Sequence, residues 1–147
     1  MSRTFYPLTM GLILLAWCGC SRDNRPEDIP RLYPVTLTIM LDDRPLDNAI
    51  VMLYAESGAD AQWTVGSQTD TQGQAIIMTH GQFSGAPAGK FKVCVSKSSV
   101  DGEGTMLKLT HDVDPLFGDP TTTPLEIEIS PKGKATTSLT LNVHKPK

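Results

Sequence analysis

Cysteine and histidine are scarce in this chain and clustered basic residues are absent, and each lack closes off a class of function. Of three cysteines, Cys18 and Cys20 lie near the start and only Cys94 falls in the body of the chain. A body with one thiol makes no internal disulfide, so its stability rests on its core. His80, His111 and His144 are the only histidines, and none has a second His or a Cys at ligand spacing. No zinc-type motif is encoded, and no metal or other cofactor is expected. Basic residues are scattered, 13 Lys and Arg against 16 Asp and Glu, for a net charge of -3. Nucleic acid is excluded as a partner, because phosphate binding needs a clustered basic face. No apolar run is long enough to span a bilayer, which takes about 20 residues, and no low-complexity tract signals disorder.

What is present begins with the first twenty residues. Arg3 is followed by an apolar run from Leu8 to Trp17, LTMGLILLAW, and then by Cys18-Gly19-Cys20. One positive charge, a short apolar stretch and small residues form the layout of an export signal, expected over residues 1–19. Trp17-Cys18-Gly19-Cys20 resembles the lipobox of bacterial lipoproteins, with Trp17 in place of the usual Leu. The resemblance implies cleavage before Cys20 and a lipid on its sulfur, hence attachment to a membrane. Ser21 to Pro30, SRDNRPEDIP, is polar and proline-punctuated, and residues 20–32 read as the lipidated Cys and a tether. Ser21 is not the Asp that marks inner-membrane retention, which favours the outer membrane or the periplasm of a bacterial envelope.

From residue 33 to 147 apolar residues recur with a period of two, the pattern of half-buried strands. Tyr33, Val35, Leu37, Ile39 and Leu41 share one face of a first strand, and Val51 and Leu53 belong to a second. Gln62–Thr69 reads as a third, more polar strand, and Ala75 and Ile77 lie on a fourth. Phe91, Val93 and Val95, then Leu125, Ile127 and Ile129, then Leu139, Leu141 and Val143 mark three more. Asp70-Thr71-Gln72-Gly73 is a tight turn with Gly73 available for positive φ. About seven short strands and no convincing helix predict an all-β sandwich of prealbumin-like or Ig-like type. Ser98–Pro124 is left as a long irregular loop.

Several segments resemble those of small bacterial lipoproteins related to carboxypeptidase regulatory-like and transthyretin-like β-sandwich domains. RPLDNAIVMLY is similar to an opening GxPLxGAxVxF, TDTQG to a TDxxG turn, APAGKFKVCV to PPGxYxVxV, and DPTTTPLEIEI to DPxxSPLxxxV. Their order holds over roughly Val35 to Val143. Asp43 stands where a turn Gly is usual, and Gln74-Ala75 replaces the common Arg-Phe. The resemblance implies an exported, lipid-anchored sandwich without established enzymatic activity. Enzymes of related fold carry other signatures: a C-terminal Tyr-Arg-Gly-Ser in a purine-catabolic hydrolase, where this chain ends VHKPK, and two Tyr with two His in iron dioxygenases, where only Tyr33 and Tyr54 follow the leader. The isopeptide bond of collagen-adhesin sandwiches fails as well, because the first strand offers Asn142 no Lys.

The candidate chemistry is sparse. His111, Asp112 and Asp114, with Asp119 beyond, could gather around a hard cation, but the same carboxylates are ordinary turn-setters before Pro115 and Pro120. Cys94 alternates onto the face of Lys90 and Lys92 with no partner base near it in sequence, which reads as a passive, half-buried thiol. Trp63 and Tyr54 are the residues that would stack a glycan at the cell surface, if both are exposed. The leading expectation is a structural or protein-interaction role, since sandwich edges and loops bind partners without special chemistry.

Overall fold

The computed structural model describes residues 28–56, 62–102, 108–131 and 137–146. The expected leader, Cys20 and the tether as far as residue 27 lie outside the described residues.

Strands form where one face of the pleat is apolar. In β2 (Val35–Leu41), Val35, Leu37 and Ile39 are buried while Thr36, Thr38 and Met40 are half-buried. The same alternation sets β4 (Ile50–Ala55), β10 (Gly89–Ser96) and β13 (Glu126–Ile129), whose Glu126 and Glu128 face out. β5 (Val65–Gln68) crosses close to β4 at Gly66, where a Cβ would stand 2.4 Å from the Val51 carbonyl oxygen. Only glycine permits that approach.

Two sheets result. One has the order β13-β10-β4-β5, continued by the short β7 (Met78–Thr79) and β8 (Phe83–Ser84), with every pair antiparallel. In the other, β2 lies between β14 (Thr137–Val143) on one edge and β3 (Arg44–Pro45) with β6 (Gln74–Ile76) on the other. β14 and β2 run parallel, in unbroken register from Thr137 opposite Val35 to Val143 opposite Leu41. Val35, Leu37, Ile39, Ala75, Leu141 and Val143 from this sheet and Val51, Leu53, Val65, Phe91, Val93, Val95, Ile127 and Ile129 from the other form one buried cluster. The protein is thus an all-β sandwich, as alternation predicts.

The packed part takes in residues that the sequence reading assigns to the tether. Ile29 is buried, and β1 (Leu32–Tyr33) pairs with β9 (Ala86–Pro87). The third strand is shorter than expected, beginning at Val65 rather than Gln62. The turn at Gly73 has the expected geometry: φ is +74°, and the Asp70 carboxylate accepts from the Gln72 and Gln74 amides at 2.8 and 2.9 Å.

The largest correction concerns Ser98–Pro124. Instead of an irregular loop it holds a hairpin of β11 (Ser98–Asp101) and β12 (Lys108–His111), then a 3-10 turn at Pro115–Gly118. Val113 and Phe117 join the core, Gly118 lies against Ser96, and the Thr123 hydroxyl donates to the Val93 carbonyl at 2.8 Å. The excursion therefore folds back over the outer face of β10. The other two buried threonines are likewise bonded, Thr69 accepting from the Ala49 amide at 2.8 Å and Thr79 donating to the Gly85 carbonyl at 2.7 Å, as buried hydroxyls require. Among the described residues no helix is long and apolar enough to cross a membrane.

The two faces of a strand should differ sharply in their response to truncation. Leu37→Ala, at a site with 0% exposure, is expected to cost about 2–5 kcal/mol in urea unfolding. Ile76→Ala, at 61% exposure, should change stability by no more than about 0.5 kcal/mol. Equal losses at both sites would contradict the assignment of faces.

Candidate functional site

Strand direction divides the sandwich into two poles. The start of β2, the end of β13 and the start of β14 mark one, which is also where the chain enters through β1. The ends of β2 and β14 mark the other, together with the end of β10.

Of the residues singled out from sequence, Tyr54 and Trp63 fall towards the entry pole. Tyr54 lies on the outer face of β4 with 44% of its surface exposed, directly across from Lys92 on β10. Lys92 in turn ion-pairs with Glu126 on β13. That hydrogen bond raises the Lys92 pKa and lowers that of Glu126. Trp63 precedes β5, packs half-buried against the core and meets the His80 ring edge-on at 5.2 Å between centroids. Both aromatics border one shallow depression of about 310 Å³. Trp63 packs half-buried against the core while Tyr54 faces outward.

Cys94 is more deeply placed than alternation suggests. It shares the face of Lys90 and Lys92, yet the returning 3-10 segment leaves it only 4% exposed. Burial pushes its thiol pKa up, and the Asp119 carboxylate adds to the shift. The neighbouring lysines therefore do not activate it.

The acidic cluster is dispersed by its own hydrogen bonds. His111 Nδ1 is 3.1 Å from the Ser98 hydroxyl, and Asp112 accepts from the Ser99 hydroxyl at 3.0 Å. Asp114 caps the 3-10 turn through the Leu116 amide at 2.9 Å. Asp119 accepts from the Thr121 hydroxyl and amide at 2.6 and 2.7 Å, which holds its carboxyl below the usual range. Among the described residues no three His, Cys, Asp or Glu side chains converge as a metal site.

A concavity of about 600 Å³ lies at the far pole, between the β2–β3 turn, Lys97, Asp112 and Lys145. Asp42 and Asp43 make that turn with φ of 47° and 64°, so Asp43 takes the left-handed conformation usually left to Gly. Arg44 and Leu46 line the floor. Lys97, at the exit of β10, donates to both the carbonyl oxygen and Oδ1 of Asp47 at 2.8 Å. This hydrogen bond and the lysine charge lower the Asp47 pKa. A second depression, about 530 Å³ and bordered by Thr110, His111 and Pro115, shares Asp112 and Lys145 with the first. The arrangement is a polar cleft of mixed charge. Sequence reasoning passed over Lys97, Arg44 and Lys145, and Asp47 served there only as part of a turn. Lys97 and Asp47 stand 50 positions apart, and nothing local links them.

The protein is thus an all-β sandwich with a polar cleft at one pole. No family model and no curated protein matches the chain. Among solved structures it is similar to one described as a "putative adhesin" from Bacteroides ovatus, with 18% identity and a TM-score of 0.44. The match covers 86% of this chain and 49% of that one, so this chain spans about half the length of its neighbour. The fold assignment rests on the strands described above.

A depressed carboxyl pKa stabilises the folded state above the unfolded value of about 3.9 and loses that contribution as pH falls through the folded value. Asp47→Asn should therefore lower the urea midpoint at pH 7, and the gap to the parent protein should close below about pH 4. A gap independent of pH would show that the Lys97–Asp47 pair does not act through charge.

Proposed function

We propose that this protein is a non-enzymatic interaction module of a bacterial cell envelope, tethered through lipid on Cys20 and presenting its cleft pole away from the membrane. One observation carries the reading: the chain enters the sandwich at β1, and a polar cleft of about 600 Å³ lies at the opposite pole. The two are separated by the length of β2, seven residues or about 23 Å. A polar tether ahead of Ile29 would lift the domain off a lipid surface without strain, since SRDNRPEDIP has no apolar stretch of its own.

The surface groups favour binding over catalysis. Lys97 is held by Asp47, Asp112 by Ser99, and Asp114 by the turn it caps. The thiol of Cys94 is buried with its pKa raised. A cleft in which Lys97, Asp47 and Asp112 already hold hydrogen-bond partners binds by shape and hydrogen bonding, without a base poised for proton transfer. WCGC supports the anchor, and Ser21 supports the outer membrane.

The anchor is tested by intact-mass spectrometry and membrane fractionation of the protein made in a bacterium, beside Cys20→Ala. The expected result is a mature chain beginning at Cys20, heavier by a diacylglyceryl group and membrane-bound only when Cys20 is present. A soluble, unmodified chain from the parent sequence would overturn it.

A further inference from the structure

Every tyrosine, tryptophan and phenylalanine among the described residues is either buried in the core or set towards the entry pole. Phe91 and Phe117 are the buried ones. Tyr33 lies just before β2, and the β7–β8 turn is brought up to it: the Ile77 amide donates to the Val35 carbonyl at 3.0 Å, and the Gly85 amide to the Ile77 carbonyl at 2.8 Å. Phe83 leaves that turn opposite Thr79. The His80 amide donates to the Thr64 carbonyl at 2.7 Å, which draws in Trp63, and Tyr54 follows the Leu53–Val65 pair on β4. None of these four rings is fully covered: Tyr33, Trp63 and Phe83 are half-buried and Tyr54 is exposed. The hairpin that leaves from the cleft pole also exposes apolar residues, but Val100 and Leu109 are aliphatic.

The distinction is chemical. Tyr and Trp have an apolar body and a polar tip, and they collect where lipid headgroups meet acyl chains. Arg31 stands over the Tyr33 ring, 5.6 Å from its centroid, and a guanidinium so placed can keep its head among phosphates while its stem lies on apolar surface. The chain outside the described residues joins this same pole. Asp28 follows Cys20 by eight residues in sequence, a span of at most about 29 Å when fully extended. Such a tether lets the domain stand off a surface and equally lets it touch. We propose that the entry pole seats directly on the lipid bilayer, with Tyr33, Trp63 and Phe83 at the headgroup boundary and Tyr54 at the rim.

Charge contributes little to this seating. Arg31 and Lys90 are offset at the same pole by Asp28, Glu56 and Glu128, so the contact needs no anionic lipid and survives added salt. The aromatic set, rather than net attraction, draws the domain down. The seating deepens the reading of a lipid anchor on Cys20 and rests on it.

Trp63 is the only tryptophan after Trp17 of the expected leader, so it reports the seating without a label. The mature lipidated protein would be reconstituted into phosphatidylcholine vesicles with and without lipid brominated in the upper acyl chain. Bromolipid is expected to lower Trp63 emission at least about twofold, and iodide should quench it less than in the Cys20→Ala chain free in solution. Gln82→Glu with Tyr54→Glu, both at exposed sites of the entry pole, should restore most of the lost emission, whereas Leu109→Glu on the far hairpin should leave the quenching as it is. Exchanging part of the phosphatidylcholine for anionic phosphatidylglycerol should change it little. Flotation of the same vesicles judges the anchor separately. Protein that floats with Trp63 unquenched, or quenching that Leu109→Glu removes and the paired substitution does not, would overturn the seating and leave the anchor standing. Protein that fails to float would overturn both.

Discussion

The parallel pairing of β2 with β14 joins strands about a hundred residues apart in sequence, and both poles take their shape from it. Because Thr137 lies opposite Val35 and Val143 opposite Leu41, the chain's entry and its final segment are fixed at opposite poles. His144 and Lys145 leave β14 beside the β2–β3 turn, where the Val143 carbonyl accepts from the Asp42 amide at 3.2 Å. The 98–124 excursion then docks on that tail. The Asp114 amide donates to the His144 carbonyl at 2.9 Å, and the Phe117 ring stands edge-on to His144 at 4.9 Å. Without β14 in place the cleft would lose its Lys145 wall and the excursion its support. No disulfide substitutes for this contact among the described residues, since Cys94 is free.

The outer face of the larger sheet shows a second consequence of one chain segment folding over another. Towards the cleft pole β10 is covered by Gly118 and Asp119, which buries Cys94. Towards the entry pole it is bare, and Lys92 and Glu126 pair across the surface beside Tyr54. Exposed pairs of this kind contribute little to stability. Their effect is to keep that face soluble and the β13 edge unattractive to other strands.

Strand positions were legible because each long strand has one apolar face. Leu37, Val93 and Ile127 are buried as their alternation requires. The fold class and the Gly73 turn follow from such local pattern, and so does the role of Asp114 and Asp119 as turn-setters. Two-residue strands such as β7 and β9 leave no periodic trace. The 98–124 excursion was hidden because its hairpin is built from Ser98, Ser99 and Lys108, polar residues without inward alternation, and its anchors Val113 and Phe117 are isolated. Cys94 lies deeper than its alternation suggests because the segment that covers it comes from elsewhere in the chain. The cleft was invisible because Asp47, Lys97, Asp112 and Lys145 belong to four separate segments.

The central claim is that the two poles differ in their relation to a membrane, and depth-dependent quenching tests it directly. Fluorophores placed through Gly81→Cys, in the turn between β7 and β8 on the entry-pole side where Thr79 pairs with the start of β5, and through Asp43→Cys at the cleft pole would be compared in the lipidated protein on vesicles carrying a headgroup quencher. The account predicts strong quenching at residue 81 and little at residue 43, given about 23 Å of strand between the poles. Equal quenching at both sites, or stronger quenching at residue 43, would contradict it.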